Sequence, residues 1–346
     1  MEKIFNKLNT SKVIEILTLL LVVFVGYLLF SNNTPGFLSY NNSDIHRGFQ
    51  RGISVLNGTN PYLEFNPNQI LNQEKVPGFF PLYFYFMALL AWISNYSFIN
   101  FMDTLRIVVF VSYSSLGLII YWLVRKQNKL LAVTCAIVFM FNRWTLNDAI
   151  DLKQDTYILL MLLVSLVSLK SRTALSFLLF GVATGVKHLT LLVFPIYLLE
   201  LYYTTIKTTD GYKKSSMYLL LMVLPIVLPA IPFIVSTPKH FAYSLMYNVT
   251  RTPEVSNLNQ NTGFDKMLVL YNQDRFNSPF FYALPRLPML ITLCLLVILY
   301  LKKSVTMWQY CFLAYLVFVA FNPVLFGQYY VWLFVFIPLA LRQREQ

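Results

Sequence analysis

The stretch LRIVVFVSYSSLGLIIYWLVRKQNK at residues 105–129 decides the fold class, because a long apolar run ends abruptly at Arg125 and Lys126. A helix of about 20 apolar residues is long enough to cross the hydrocarbon core of a bilayer. Similar runs recur along the chain and predict about ten spans in all. They lie at residues 13–30, 105–124, 130–142, 156–169, 173–186, 189–203, 216–236, 287–301, 305–321 and 329–341. The sequence therefore predicts an all-α polytopic membrane protein, with residues 1–346 forming one domain.

Composition supports this class and excludes several others. Of the 346 residues, 57% are hydrophobic and only 12% are charged, a balance far from that of soluble domains. All three cysteines (Cys135, Cys294 and Cys311) fall within predicted spans, so they predict neither a disulfide framework nor a metal cluster. The chain has no phosphate-binding loop, no dinucleotide fingerprint and no serine-hydrolase or zinc-protease motif. No metal and no other cofactor is predicted.

The net charge of +12 has two possible meanings, nucleic-acid binding or membrane topology. Alternation of the spans places fifteen basic and five acidic residues on one side, and the other side is nearly neutral. Because cytoplasmic loops are enriched in Lys and Arg, this basic side is predicted to be cytoplasmic, together with both termini. The charge is then a topology signal, and no nucleic-acid partner is expected.

The same topology sends the long polar segments outward. The first outer loop covers residues 31–104 and the second covers 237–286, whereas shorter outward turns lie at 143–155 and 322–328. Residues 78–94 are apolar enough to cross, but a crossing there would invert every later loop, so we predict a helix lying in the outer interface. Lysines before the first span and the absence of a cleavage site predict a retained anchor.

The first outer loop carries the main candidate for chemistry. Residues 44–56 fit one amphipathic helix that begins at Asp44, with Ser43 as its cap. Asp44, Arg47 and Arg51 then share a face, with His46 beside them. A carboxylate flanked by cations suits a reaction in which a hydroxyl loses its proton while a phosphate departs. A capping or salt-bridged carboxylate at an interface explains this spacing equally well.

Acidic residues cluster in the turn at 143–155, where Asp148, Asp151, Lys153 and Asp155 follow one another closely. Such a cluster can bind a divalent cation, orient the hydroxyls of a sugar, or simply hydrate a loop. Hydration is the commoner explanation. Asp155 opens a predicted span and is also explained as a charge at a helix N-terminus.

Further cations and polar groups lie at span ends on the same side. Lys187 and His188 sit between two apolar segments, where a lysine is costly without an anionic partner, so either a lipid phosphate or snorkelling to the interface accounts for it. Arg286, at the start of a span, is the cation of the second outer loop that we favour as a phosphate ligand. Gln328 and Tyr329 either close a cavity at the last outer turn or anchor the helix that follows.

The order of these features resembles a known family, the polytopic GT-C glycosyltransferases. Within this family the chain resembles the mannosyltransferase-like branch, which uses polyprenyl-phosphate sugars. The resemblance extends over nearly the whole chain. It is carried by the early acid Asp44, Gly-x-Asn-Pro-Tyr at 58–62, PGFFPLYFYFMALL at 77–90, GVKHLTLLVFP at 185–195 and FGQYYVWLFVFIPLA at 326–340.

The resemblance implies a GT-C-like bundle with juxtamembrane helices in the first outer loop. It also implies transfer of one hexose, such as mannose, with inversion, from a polyprenyl-phosphate donor to a hydroxyl of a glycan or glycolipid on the extracytoplasmic face. Asp44 corresponds to the general base, Lys187 to the residue near the donor phosphate, and Gln328 and Tyr329 to the late Gln-Tyr of the family. Position in the outer loops adds His188 and Arg286 as candidates for binding the donor phosphate, and His46 and Arg47 as candidates for binding substrate. Some relatives hold a metal between two loop acids, but the favoured branch needs none.

Two other classes of protein remain open. A transporter or flippase of lipid-linked sugars would use the cations at membrane depth as substrate contacts, and it should carry polar residues deep in several spans. A binding or assembly subunit without catalysis would use Asp44 only as a structural cap. The membrane would be the cell membrane, or the endoplasmic reticulum in a eukaryote.

Overall fold

The computed structural model describes residues 10–34, 44–64, 78–207, 210–250, 286–322 and 326–341. Within these ranges every regular element is helical. Short 3₁₀ helices cover Pro61–Glu64, His188–Val193 and Leu228–Ala230. The α-helices are α1 (Thr10–Asn33), α2 (Asp44–Leu56), α3 (Pro81–Ile93), α4 (Phe98–Val124), α5 (Lys129–Phe141), α6 (Arg143–Ile150), α7 (Asp155–Ser168), α8 (Thr173–Val186), α9 (Phe194–Lys207), α10 (Gly211–Val227), α11 (Ile231–Ser236), α12 (Pro238–Thr250), α13 (Leu287–Leu301), α14 (Met307–Phe321) and α15 (Tyr329–Ala340).

Polar side chains set several of the helix boundaries. The Asn128 side chain accepts a hydrogen bond from the Leu131 N–H and starts α5. Asn142 ends α5 and caps α6 by accepting from two backbone N–H groups, and the two helices meet at an angle of 50°. Thr306 and Gln309 form a capping box at the start of α14. Each cap satisfies backbone groups that a helix end leaves unpaired, which is costly in an apolar setting.

A helix occupies each of the ten predicted apolar runs, so the all-α prediction is confirmed. Four helical segments are long and apolar enough to cross a membrane, and the bent pair α5–α6 makes a fifth if it counts as one span. Six further apolar helices have only 10–17 residues. The count of ten spans therefore remains a prediction. The interpretation of residues 143–155 as a plain turn was wrong, because Asn142 caps a helix there, α6.

Close helix contacts depend on glycine where α8 meets α10. A Cβ atom on Gly181 would lie 2.2 Å from the Met222 carbonyl oxygen, and one on Gly185 would lie 3.0 Å from the Pro225 carbonyl oxygen. Only a residue without a side chain permits this approach of two backbones. The pair α8 and α10 consequently packs in register along a shared face.

Helix α3 lies across one end of the bundle, where it contacts the first turns of α4 and α7 and the last turn of α8. Ser94 Oγ, just after α3, is 3.1 Å from Thr104 Oγ1 near the start of α4. The Phe86 ring is 5.0 Å from the Tyr157 ring at the start of α7, and Leu82 lies against Gly185 at the end of α8. The structure thus confirms a helix within residues 78–94, and its location in the membrane interface stays a prediction.

The basic turns lie at the opposite end, because α4 and α7 both begin beside α3 and run away from it. There Glu15 of α1 accepts hydrogen bonds from Tyr121 and, at 2.8 Å, from Lys129. Lys170, after α7, and Lys303, after α13, line one cavity at this same end. The bundle thus has a basic end and an end that carries α2 and α3, which we call the α3 end.

Candidate functional site

A buried ion pair lies at the α3 end of the bundle. The Lys187 ammonium is 2.7 and 2.8 Å from the two carboxylate oxygens of Asp155, and Trp332 Nε1 donates to one of these oxygens at 2.6 Å. Asp155 is fully buried, and Lys187 is 5% exposed. Removal of two charges from water is unfavourable unless their geometry and hydrogen bonds are good, and here the carboxylate has three donated hydrogen bonds.

Three separate segments of the chain build this pair. Asp155 is the first residue of α7, and Trp332 lies in the first turn of α15. Lys187 sits in extended conformation (φ −144°, ψ 120°) at the break between α8 and the 3₁₀ helix that follows. The break turns the lysine side chain out of the helical path, so that it reaches the start of α7.

The ion pair changes the interpretation of Lys187. Either a lipid phosphate or snorkelling was expected to account for this lysine, but the protein itself supplies an anionic partner through Asp155. The snorkelling alternative was wrong, because the ammonium is buried. Asp155 is likewise more than a charge at a helix N-terminus, because its side chain joins α7 to α8 and α15.

A second carboxylate is buried next to this pair. Asp148 Oδ2 accepts a hydrogen bond of 2.9 Å from Thr156 Oγ1, whereas Asp148 Oδ1 is buried without a hydrogen-bond partner in the described part of the chain. Asp151 is exposed. The prediction of a hydrated acidic loop therefore fits Asp151 but was wrong for Asp148 and Asp155. Burial and the nearby charge of Asp155 raise the pKa of Asp148 well above its ordinary value of 3.8, which favours its neutral form beside the Lys187–Asp155 pair.

Tyr329 is a direct neighbour of the ion pair. Its ring centroid is 5.5 Å from the Lys187 ammonium, within the range of a cation–π contact. The same ring packs edge-on against Phe318 at 5.1 Å. Gln328 precedes α15 and is half-buried, but its side chain does not cap the helix. The structure thus brings together Lys187 and Tyr329, which the sequence analysis placed in one site.

Asp44 occupies a different setting at the same end. It begins α2, its side chain is 72% exposed, and Arg47 one turn later forms an ion pair with it. Burial of part of the carboxylate raises the pKa of Asp44, but the Arg47 hydrogen bond and the charges of Lys153, Arg47 and Arg51 outweigh this effect and lower the pKa below its ordinary value of 3.8. The carboxylate is therefore ionised at neutral pH and exposed at the surface of the protein.

Lys153 lies between Asp44 and the buried Lys187–Asp155 pair. It lies in the turn between α6 and α7, two residues before Asp155, and its charge lowers the pKa of Asp44. Tyr83 makes a second link: burial raises the pKa of its hydroxyl, and the charge of Asp44 adds to that increase. The first outer loop and the acidic segment therefore meet at one place, although Asp44 and Lys187 have different direct partners.

Arg51 takes a different role from the one its spacing predicts. Its Nε and Nη2 atoms donate to Glu64 at 3.0 and 2.7 Å, which ties α2 to the 3₁₀ helix Pro61–Glu64. Next to this pair the Tyr62 hydroxyl donates to the Phe79 carbonyl at 2.6 Å. Asn60 donates to Thr237 Oγ1, also at 2.6 Å. The Gly-x-Asn-Pro-Tyr segment is thus a clamp that holds α2, α3 and α12 together.

The remaining predicted site residues lie at the same end without meeting in one cluster. His46 and Gln50 are hydrogen-bonded at 2.8 Å, and the His46 ring packs edge-on against Phe98 at 4.8 Å. His188 is half-buried at the start of its 3₁₀ helix. Arg286 is buried just before α13, and most of the second outer loop, 251–285, lies outside the described residues. Ser43 and residues 323–325 also lie outside them.

No protein-family model matches this chain, and no curated protein is significantly similar to it in sequence. In the described part of the chain, no three His, Cys, Asp or Glu side chains come together as metal ligands would. The fold and the site therefore define only the general class of protein. This is an all-α membrane protein with a cluster of charged side chains at one end of its helical bundle.

Proposed function

We propose that this protein is a GT-C-type membrane glycosyltransferase. It transfers one sugar, a hexose such as mannose, from a polyprenyl-phosphate donor to a hydroxyl of a glycan or glycolipid. The reaction inverts the anomeric carbon and takes place on the extracytoplasmic face. In this proposal the bundle has about ten spans, the termini and the basic end are cytoplasmic, and the α3 end faces outward.

The observation that carries the proposal is the state of Asp44. A general base must be ionised, and an incoming hydroxyl must be able to reach it. Asp44 meets both requirements, since its side chain is exposed and its pKa is lowered. It also lies within the electrostatic reach of Lys153, in the segment that leads into the buried charged cluster.

The reaction proceeds in one displacement. Asp44 accepts the proton of the acceptor hydroxyl while its oxygen bonds to the anomeric carbon, and the bond from that carbon to the phosphate oxygen breaks. Polyprenyl phosphate leaves with the bonding electrons, and nearby cations stabilise its growing negative charge. Arg47 holds Asp44 in place, while His46 and Gln328 contact the substrates.

Lys187, His188 and Arg286 are the proposed ligands of the donor phosphate. A lysine ammonium has three N–H donors, and Asp155 accepts from Lys187 through both of its oxygens. One N–H of Lys187 is therefore left for a phosphate oxygen, on the side where Tyr329 lies. Asp155 keeps the ammonium oriented when no donor is bound.

The distribution of buried charge favours a transferase over a flippase. A transport path needs polar groups through the depth of the membrane. In the described part of the chain, every buried charged side chain lies at the α3 end. These residues are Arg51, Asp148, Asp155, Lys187 and Arg286.

Asp44→Asn in purified protein, supplied with a radiolabelled polyprenyl-phosphate hexose, tests this proposal. Loss of the base should lower turnover by about 100-fold or more, while binding of the donor stays unchanged because the fold and the cations are intact. Asp103→Asn is the matched control, because Asp103 is also exposed and pairs with an arginine three residues later, Arg106, at 2.9 Å. Unchanged turnover in Asp44→Asn would remove Asp44 as the base.

A further inference from the structure

A cavity of about 550 Å³ opens at the basic end of the bundle, far from the α3 end. It lies where the turns that follow α7 and α13 meet the last turns of α9. Lys170, Lys303 and Glu200 contribute charged groups to its wall, and Tyr203 and Thr204 contribute hydroxyls. Both lysines are exposed, so water and soluble ions reach this part of the wall.

Tyr300 also lines the wall, and the rest of the wall is apolar. The apolar members are Leu169, Ile196, Leu199, Leu301, Val305 and Met307. Ile196 is buried among the helices, whereas Leu301 is 52% exposed on the outside of the bundle, where a lipid-facing surface is expected. The cavity is therefore polar at the helix ends and apolar along the helices, which is the pattern of an amphiphile that stands in the membrane with its headgroup at the surface.

Charge decides which amphiphile fits. Two ammonium groups face one carboxylate in the wall, and Arg172 and Lys302 lie next to the lining residues in the same two turns. The surroundings are thus positive, and the cytoplasmic leaflet is rich in anionic lipids. A zwitterionic headgroup would bring its own cation close to these lysines, which an anionic headgroup does not.

We infer that this cavity binds the phosphate headgroup of an anionic phospholipid of the cytoplasmic leaflet. Lys170 and Lys303 neutralise the phosphate, Tyr203 and Thr204 lie beside it in the wall, and an acyl chain runs along the apolar wall. Glu200 opposes the anion and limits its affinity. The site depends on the basic end facing the cytoplasm, but it does not depend on the proposed sugar transfer.

Native mass spectrometry of the full chain in detergent, titrated with phosphatidylglycerol or with phosphatidylcholine, tests this inference. Wild-type protein should bind phosphatidylglycerol more tightly. Lys170→Gln with Lys303→Gln should weaken that binding by about fivefold for each lysine removed, and should leave phosphatidylcholine binding unchanged. Glu200→Gln should tighten phosphatidylglycerol binding, an opposite change that a merely unfolded variant cannot produce.

The matched control is Lys126→Gln with Lys213→Gln. It removes the same net charge from two exposed lysines in other basic turns, and neither lines the cavity. This control should keep the wild-type preference for phosphatidylglycerol. If phosphatidylglycerol binding weakened equally in both double variants, general surface charge would explain the binding, and the proposed site would be overturned. A second result would also overturn it: inorganic phosphate displaces the bound lipid, and the protein shows no preference between phosphatidylglycerol and phosphatidylcholine. The ligand would then be a soluble anion.

Discussion

Asp155 has a role that its place in the sequence does not reveal. The residue looks like an ordinary acid at the start of a helix, yet it accepts hydrogen bonds from Lys187 and Trp332 and is fully buried. A buried ion pair contributes little net stability compared with a well-packed apolar pair. Loss of one partner, however, leaves the other charge buried and uncompensated.

We therefore expect Asp155→Asn and Lys187→Met each to lower the free energy of unfolding by about 3–5 kcal/mol. The double variant should be destabilised by less than the sum of the two, since neither charge remains. Denaturant unfolding in detergent micelles measures these values. The exposed pair Asp103–Arg106 is the comparison, for which Asp103→Asn should cost no more than about 1 kcal/mol. Additive effects at Asp155 and Lys187 would show that the pair is not a unit.

The pKa of Asp44 makes a second prediction at this scale. In the wild-type protein the acid limb of kcat/KM that belongs to Asp44 should lie below its ordinary pKa of 3.8, because Arg47, Lys153 and Arg51 lower the pKa. Arg47→Gln removes a hydrogen bond and a charge while the burial that raises the pKa remains. The limb should then move to higher pH, and a pH–rate profile measures the shift.

Arg106→Gln is the matched control for this experiment, because it breaks the other i, i+3 pair at the same end of the bundle. Its pH profile should follow that of the wild type. An acid limb that stays in place in Arg47→Gln would contradict the assignment of that limb to Asp44. The lowered pKa also affects stability: this contribution is present above the unfolded-state pKa and is lost as the pH falls through the folded-state value.

At the scale of elements, the helix pair α2 and α3 positions Asp44. A Cβ atom on Gly52 would lie 2.7 Å from the Met87 carbonyl carbon of α3, so the two backbones are in direct contact there. A Cβ atom on Gly48 would instead meet the Tyr83 hydroxyl at 2.8 Å, the far end of a side chain. The glycines allow α2 to lie flat on α3, which holds the carboxylate of its first residue over the end of the bundle.

Gly52→Ala should accordingly displace α2 from α3 and lower both transfer activity and thermal stability. Alanine is favoured over glycine in a helix by about 1 kcal/mol. A loss of stability in Gly52→Ala would therefore be opposite to the effect of helix propensity and would come from the lost contact between α2 and α3. Gly48→Ala is the control and should have the smaller effect, since only a side-chain end must move. Thermal unfolding and turnover of both variants are the measurements. Equal effects would contradict the proposed contact.

At the scale of the whole molecule, the two ends of the bundle differ in charge and in type of surface. One end has exposed lysines in short turns, and the other end holds the buried charged side chains of the described residues. By the positive-inside rule, this asymmetry predicts that the basic end faces the cytoplasm. In that predicted orientation, the proposed chemistry takes place outside and the proposed lipid site lies inside.

Accessibility to a membrane-impermeant thiol reagent tests the orientation. Asn128→Cys, in the turn between α4 and α5, should react only from the cytoplasmic face. Asp44→Cys should react only from the opposite face. The background protein carries serine in place of Cys135, Cys294 and Cys311, so that each variant has one thiol. Labelling of both positions from the same face would contradict the topology.

Local pattern was sufficient for most of the fold. Hydrophobic length located the apolar helices, and the amphipathic pattern with its charged first residue located α2 at 44–56, where the structure has it. Residues 143–155 were the exception, because their polarity suggested a plain turn whereas Asn142 caps a helix there. For the site, Lys187 and Tyr329 were placed together by the resemblance, and they are neighbours.

The sequence by itself determined that this is a helical membrane protein. The length of an apolar run and the basic residues beside it are local properties, and they decide whether a segment is stable in a bilayer and which way it is oriented. Only the tertiary structure decided that Lys187 pairs with Asp155 and Trp332. Their partnership joins positions 32 and 177 residues apart, and nothing near any of them in the chain signals the others. It arises because helix packing buries a lysine ammonium that no local group can satisfy, so the carboxylate and the indole N–H must come from neighbouring helices.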